Sequence, residues 1–200
     1  MSEDFSELFQ LSKKKTAKGS RRLAREKAIQ TIMAKDVCGE NINDLFQHIL
    51  MRKFNFGDID EPKGKLLRPD EIYELESDVP IKWSEDELKF GKKLVRSVLE
   101  KREELDDYID RYAQNWELER IAQLDRLILQ VATAELLYFE EIPPKVSINE
   151  AIDISKKFST EKSKVFINGI LDSILDELKE KGTLAKSGRG LDEGKQKKAD

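Results

Sequence analysis

Residues 116–139 read "WELERIAQLDRLILQVATAELLYF", the stretch whose reading decides the fold. Apolar residues fall on several sides of a helical projection between Ile121 and Leu137. A helix apolar all round must be buried. The segment is therefore expected at the centre of a helical bundle, with the remaining elements packed around it.

Working outward, the same helical period recurs in both directions. On the N-terminal side, "RLAREKAIQTIM" repeats Ala24, Ala28, Ile29, Ile32 and Met33, with Ser20 as the expected N-cap. Leu45, Phe46, Ile49, Leu50 and Phe54 make a second short amphipathic stretch. Ser84 with Glu87 has capping-box spacing, and Trp83 is placed to pack on Leu88. The chain is expected to enter a helix at Glu85 and to carry its stripe through Leu94, Val98, Leu105 and Tyr112.

On the C-terminal side, Pro143 and Pro144 end the connection after the central helix. Ser147 and Glu150 then read as a second capping box opening "INEAIDISKKF". A last helix is expected from about Glu161 to Gly182, with Val165, Phe166, Ile170, Leu171, Ile174, Leu175 and Leu178 turned to the core. No stretch reads as a strand, and the fold class is all-α, six to seven helices.

Between Gly57 and Pro80 the period is lost among prolines, glycines and acids, which marks a long loop with a turn around "PDEIYEL". The expected organisation is a basic flexible arm (1–19), an N-terminal helical part (20–56), a linker or insertion loop (57–82), a C-terminal helical part (83–182) and a disordered tail (183–200). No segment approaches the length of apolar sequence that spans a bilayer, and the N-terminus lacks the order of a secretory signal, so a cytoplasmic protein is expected.

Catalytic chemistry is not advertised. A single cysteine, Cys38, and a single histidine, His48, give no zinc-ligand spacing and no internal disulfide; Cys38 is expected as a buried structural thiol and His48 in a helix-surface or satisfied buried role. There is no phosphate-binding loop, nucleophile elbow or metalloprotease signature. Neither metal nor cofactor is expected.

The net charge of −4 hides an uneven distribution. Lys13 to Lys27 holds eight basic residues and one acid, a charge of +7 against −11 on the rest of the chain. A basic arm on an acidic body is a polyanion-binding signature, although a solubilising tail has the same composition. Arg21, Arg22 and Arg25 stand at a helix N-terminus, where cations are unfavourable unless an anion lies against them.

Four stretches, "RRLAREKAIQ", "WELERIAQLDRLIL...AEL", "IPPKVSINEAIDISKKF" and "KSKVFINGILD", together resemble the NusB family of bacterial transcription antitermination factors. The resemblance covers about 20–53 and 83–178 and is most specific from Pro143 to Asp172. It implies two packed helical subdomains and RNA binding without catalysis. It also implies pairing with NusE, a ribosomal protein, on single-stranded boxA RNA of ribosomal RNA operon leaders, with the RNA polymerase elongation complex and other Nus factors as further partners.

On this resemblance, Arg21, Arg22, Arg25 and Lys27 form the phosphate-binding element, the three guanidiniums converging on it. Gln30 touches a base or ribose. Phe158 and Phe166 lie near the RNA, with Phe166 the stacking residue and Lys162 and Ser163 its polar neighbours, while Asp125 matches an acidic position used against NusE. Met33 stands where relatives often carry tyrosine, Leu23 interrupts an arginine run, and Lys162 replaces an acid. Two other readings share these features: a helical module related to an RNA cytosine methyltransferase domain, and a protein-protein module with no RNA affinity of its own.

Overall fold

A computed structural model describes residues 17–52, 81–113 and 122–184. The expected arm before residue 17, Phe54, the turn around "PDEIYEL", the start of the central stretch at Trp116 and the tail from residue 185 lie outside the described residues. The elements, in order, are β1 (Ala17–Lys18), α1 (Arg21–Cys38), α2 (Ile42–Leu45) running into a π-helical turn (Phe46–Leu50), β2 (Ile81–Lys82), α3 (Glu85–Glu100), α4 (Arg102–Ala113), α5 (Gln123–Tyr138), α6 (Pro144–Phe158) and α7 (Glu161–Glu180).

The centre is as the apolar stretch requires. Leu127, Ile128, Leu129, Val131, Ala132, Ala134 and Leu136 of α5 are all buried, and α1, α3, α4, α6 and α7 each pack against it. α1 lies against both α3 and α5, where Ala24 and Ala28, wholly buried, let the backbones approach.

Most helix boundaries follow the capping chemistry. Ser20 Oγ accepts from the Leu23 N–H (3.1 Å) to open α1, and Gly39 at φ 69° closes it. The Ser84–Glu87 box is complete in both directions, and Thr160 caps α7.

Five local expectations are corrected. Ser147 does not cap α6. The helix opens at Pro144, four residues before the expected first residue Ile148; the missing proline N–H costs nothing at a first helical position, and Ser147 is buried inside the helix. The stripe from Glu85 to Tyr112 is two helices, interrupted at Lys101. Val165 is 62% exposed, because α7 buries Phe166, Ile167 and Ile170 instead. Cys38 is exposed as the last residue of α1, where the helix has passed the edge of the core. Lastly, β1 and β2 pair in parallel, Ala17 with Ile81 and Lys18 with Lys82.

A two-residue strand is too short to show a period. Its marker is Gly19, whose N–H donates to Lys82 O (2.9 Å) and where a Cβ would fall 2.7 Å from the Trp83 ring. The Trp83 indole N–H in turn donates to Leu50 O (2.6 Å), so the start of α3 is tied to both α1 and the π-helical turn.

Candidate nucleic-acid interface

The side chains of α1 leave the helix in two directions, and each direction has its own chemistry. Arg25 points inward. It is 4% exposed, its Nε and Nη2 bond Glu135 Oε1 and Oε2 at 2.5 and 2.9 Å, and Glu150 lies 3.6 Å from Nη1. Ser147 Oγ donates to the same Glu135 carboxylate (2.8 Å). A charge this deep is tolerable only when paired and hydrogen-bonded, and this one is both. The cluster fastens α1, α5 and α6 together.

Arg22 is half-exposed and lies over α6. Its Nε and Nη2 bond Glu150 at 3.0 Å each, and Nη2 bonds Asp153 at 2.8 Å. Hydrogen bonds donated to Glu150, reinforced by its charge and that of Asp153, raise the Arg22 pKa above its ordinary value. Arg21 turns the other way and seats its guanidinium 5.3 Å from the centroid of the Phe90 ring on α3. The expected convergence of three vacant guanidiniums is therefore corrected: Arg21 and the interior Arg25 both stand over the Phe90 ring, Arg25 at 5.1 Å from its centroid, and Arg22 meets surface carboxylates.

Glu26, Ile29, Gln30 and Met33 continue the Arg22 side of α1 and form one wall of a groove of about 240 Å³. Leu124, Ile154 and Phe158 form the other. Phe158, the last residue of α6, is 42% exposed, with Lys157 Nζ 4.8 Å from its ring centroid. Lys157 also bridges the groove to Glu26 at 2.8 Å. Lys27 is buried and donates from Nζ to Gln30 Oε1 (2.8 Å). Because an ammonium only donates, it fixes the carboxamide with its oxygen toward Lys27 and its NH₂ free to donate to a ligand.

Several other expected site residues are not on this surface. Phe166 is 6% exposed and part of the hydrophobic core, since the first turn of α7 points it at α5 and α6. Ser163 and Asp125 are also buried: Ser159 Oγ and Ser163 Oγ each donate to the Asp125 carboxylate at 2.6 Å. That carboxylate ties α5 to the α6–α7 corner and is 6% exposed. Lys162 is exposed on the first turn of α7.

Of the acids that neutralise the arginines, Glu135 and Asp153 are not singled out by the motifs of the sequence, and Glu150, expected in a capping box, pairs with Arg22 and Arg25 instead. Glu135 had a signal. It is the one acid in the apolar run from Leu127 to Leu137, and such a residue must find a cation.

Among the described residues there is no group of three or more potential metal ligands, and no helix is long and apolar enough to cross a membrane.

The chain matches the NusB family model over residues 22–176. It is 38% identical over 172 residues to the transcription antitermination protein NusB of Chloroherpeton thalassium, covering 86% of this chain and 69% of the relative. It is 39% identical to that of Salinibacter ruber, covering 86% and 91%. Among solved structures, T. maritima NusB superposes with a TM-score of 0.58 at 28% identity, covering 80% of this chain and 93% of that one. A chain from a complex of the antitermination factors NusB and NusE with double-stranded RNA shares the fold at a TM-score of 0.55 and 24% identity, covering 78% and 96%. With the helical expectation met by the structure and the match running from Arg22 in α1 to Asp176 in α7, the chain belongs to the NusB family.

Proposed function

We propose that this protein is a non-enzymatic RNA-binding factor of transcription antitermination, acting in the cytoplasm with NusE and the RNA polymerase elongation complex, and that the groove between α1 and α6 holds bases of a single-stranded, boxA-type RNA. The name shared by its relatives supports the antitermination role. The observation that carries the site is Phe158: a largely apolar aromatic face, open to solvent, across from a carboxamide held in one orientation.

A base stacked on Phe158 would cover an exposed ring, a contact worth about 1–3 kcal/mol per base. Gln30 donates to a carbonyl or ring-nitrogen acceptor on the base edge, the kind of contact by which single strands are read. Arg22 and Lys157 stand beside the groove for phosphates, and Lys162 is a further exposed cation on the first turn of α7. Arg22 exchanges one set of anionic oxygens, those of Glu150 and Asp153, for another, so phosphate need not recruit a cation from bulk water; guanidinium geometry suits both. Lys27 serves by orienting Gln30. Arg25, Ser163, Phe166 and Asp125 serve by holding α1, α6 and α7 where the groove forms.

Equilibrium binding of a boxA-type RNA, alone and with NusE, tests the proposal. The expected result is binding that tightens with NusE and whose log affinity falls with log salt at about −0.7 per phosphate contacted. Absence of RNA binding both alone and with NusE would overturn it.

A further inference from the structure

α3 carries a row of cations that the groove does not use. Lys89, Lys93 and Arg96 are exposed and recur at intervals of four and three, with Lys92 beside them. They therefore share one face of the helix over about 10 Å. In a chain with 40 acids and 36 lysines and arginines, such residues ordinarily meet carboxylates. Elsewhere in this molecule they do: Arg22, Arg102, Arg126 and Lys157 are each ion-paired. Among the described residues, none of Arg21, Lys89, Lys92, Lys93 and Arg96 lies within ion-pair distance of an acid.

Three of these cations are seated, Lys92 with its Nζ 5.9 Å from the Phe46 ring centroid. Arg21 stands 5.3 Å from the Phe90 ring centroid, and Lys93 Nζ stands 4.1 Å from that of Phe139 while donating to Tyr138 O at 3.0 Å. Phe90 and Phe139 themselves touch edge to face, with centroids 5.5 Å apart. The aromatic pair thus links the first residue of α1 to the middle of α3 and holds Arg21 and Lys93 before any ligand arrives, so less side-chain freedom is lost on binding. Arg21 adjoins Arg22, and Arg22 lies one turn above Glu26 at the groove wall. Arg21 thus brings the cationic N-terminus of α1 against α3 at Phe90.

We infer that Lys89, Lys92, Lys93 and Arg96, reached through Arg21, form a second phosphate-binding track that carries the RNA strand beyond the groove. The inference rests on the groove holding RNA. A track of cations without a base-sized recess binds backbone alone, so it adds affinity and salt dependence without adding sequence preference.

The test compares a boxA-type oligonucleotide with the same oligonucleotide lengthened at both ends by uridines, using the full chain and the variant K89Q/K92Q/R96Q. Lys93 is left in place because it bonds the end of α5. Glutamine keeps helix propensity close to that of lysine and arginine, and circular dichroism checks the fold. Wild type is expected to bind the long RNA more tightly than the short one. The variant is expected to bind the short RNA as wild type does, to gain nothing from lengthening, and to show a log affinity against log salt slope shallower by about 2 on the long RNA, three contacts at 0.7 each. Wild-type binding that lengthening leaves unchanged, or a variant that gains as much from lengthening as wild type, overturns the track and leaves the groove standing. A variant weakened equally on both RNAs also overturns the track, since the charges then act as a general field. If wild type binds neither RNA, the groove reading fails first.

Discussion

Arg25 and Arg22 lie less than one turn apart on the same helix and share Glu150 as a neighbour, yet one is buried and the other half-exposed. Arg25 faces α5, is sealed from water, and is held by Glu135 with Glu150 nearby. Arg22 faces α6, is half-exposed, and is held by Glu150 and Asp153 at the surface. The difference is one of exchangeability. A buried ion pair cannot trade its partner without leaving a charge stranded in the core, while a solvated one trades one anion for another at little net cost. A run of arginines in sequence is thus a fold element on one side and, on the proposed function, a ligand element on the other, and burial separates the two.

The contrast is most strongly broken at Glu135. Glu135→Ala leaves Arg25 buried without its main partner and is expected to lower unfolding free energy by about 3–5 kcal/mol in a denaturant titration. The same titration on Arg25→Met/Glu135→Leu is expected to recover most of that loss, because two apolar side chains replace two charges. A loss below 1 kcal/mol for the single variant would mean that Arg25 reaches water, and the two arginines would no longer differ in kind. Arg25→Ala belongs on the same side of the comparison: its effect on RNA binding is expected to follow its effect on stability.

At the groove, Gln30→Ala sharpens the other side. It removes one oriented donor from an exposed position and is expected to weaken RNA binding by about 0.5–1.5 kcal/mol in a fluorescence anisotropy titration, with the denaturation midpoint unchanged. Full affinity in this variant would take Gln30 out of the base-contacting set.

The smallest effect is expected at Asp153. Asp153→Asn removes one of two carboxylates competing for Arg22, a surface contact worth up to about 1 kcal/mol, and should raise RNA affinity by up to about fivefold. A decrease would show that Asp153 holds Arg22 in its binding position and does not restrain it.

The fold was largely legible in the sequence because helix entry is local chemistry. Ser20, Ser84 with Glu87, and Gly182 sit where caps and stops belong, and the apolar run of α5 could be stable only at a centre. Where legibility failed, the deciding contact was remote in sequence. Ser147 looks like a cap until Pro144 opens the helix and Glu135 claims its hydroxyl. Phe158 and Phe166 are both phenylalanines beside one short corner, yet the turn at Ser159 and Thr160 sends the first to the groove rim and the second to the core. Resemblance pointed to the N-terminal end of α1 and to the α6–α7 corner, but which side chains reach the surface there depended on packing between α1, α5 and α6. The groove itself was invisible, because its walls come from positions more than 90 residues apart.

The most direct measurement is the affinity of Phe158→Ala for a boxA-type RNA, taken beside wild type under the same salt. A groove that stacks a base on this ring predicts a loss of about 1–3 kcal/mol in binding, roughly five- to 150-fold, with helicity and unfolding midpoint retained. Wild-type affinity in a folded Phe158→Ala chain would contradict it.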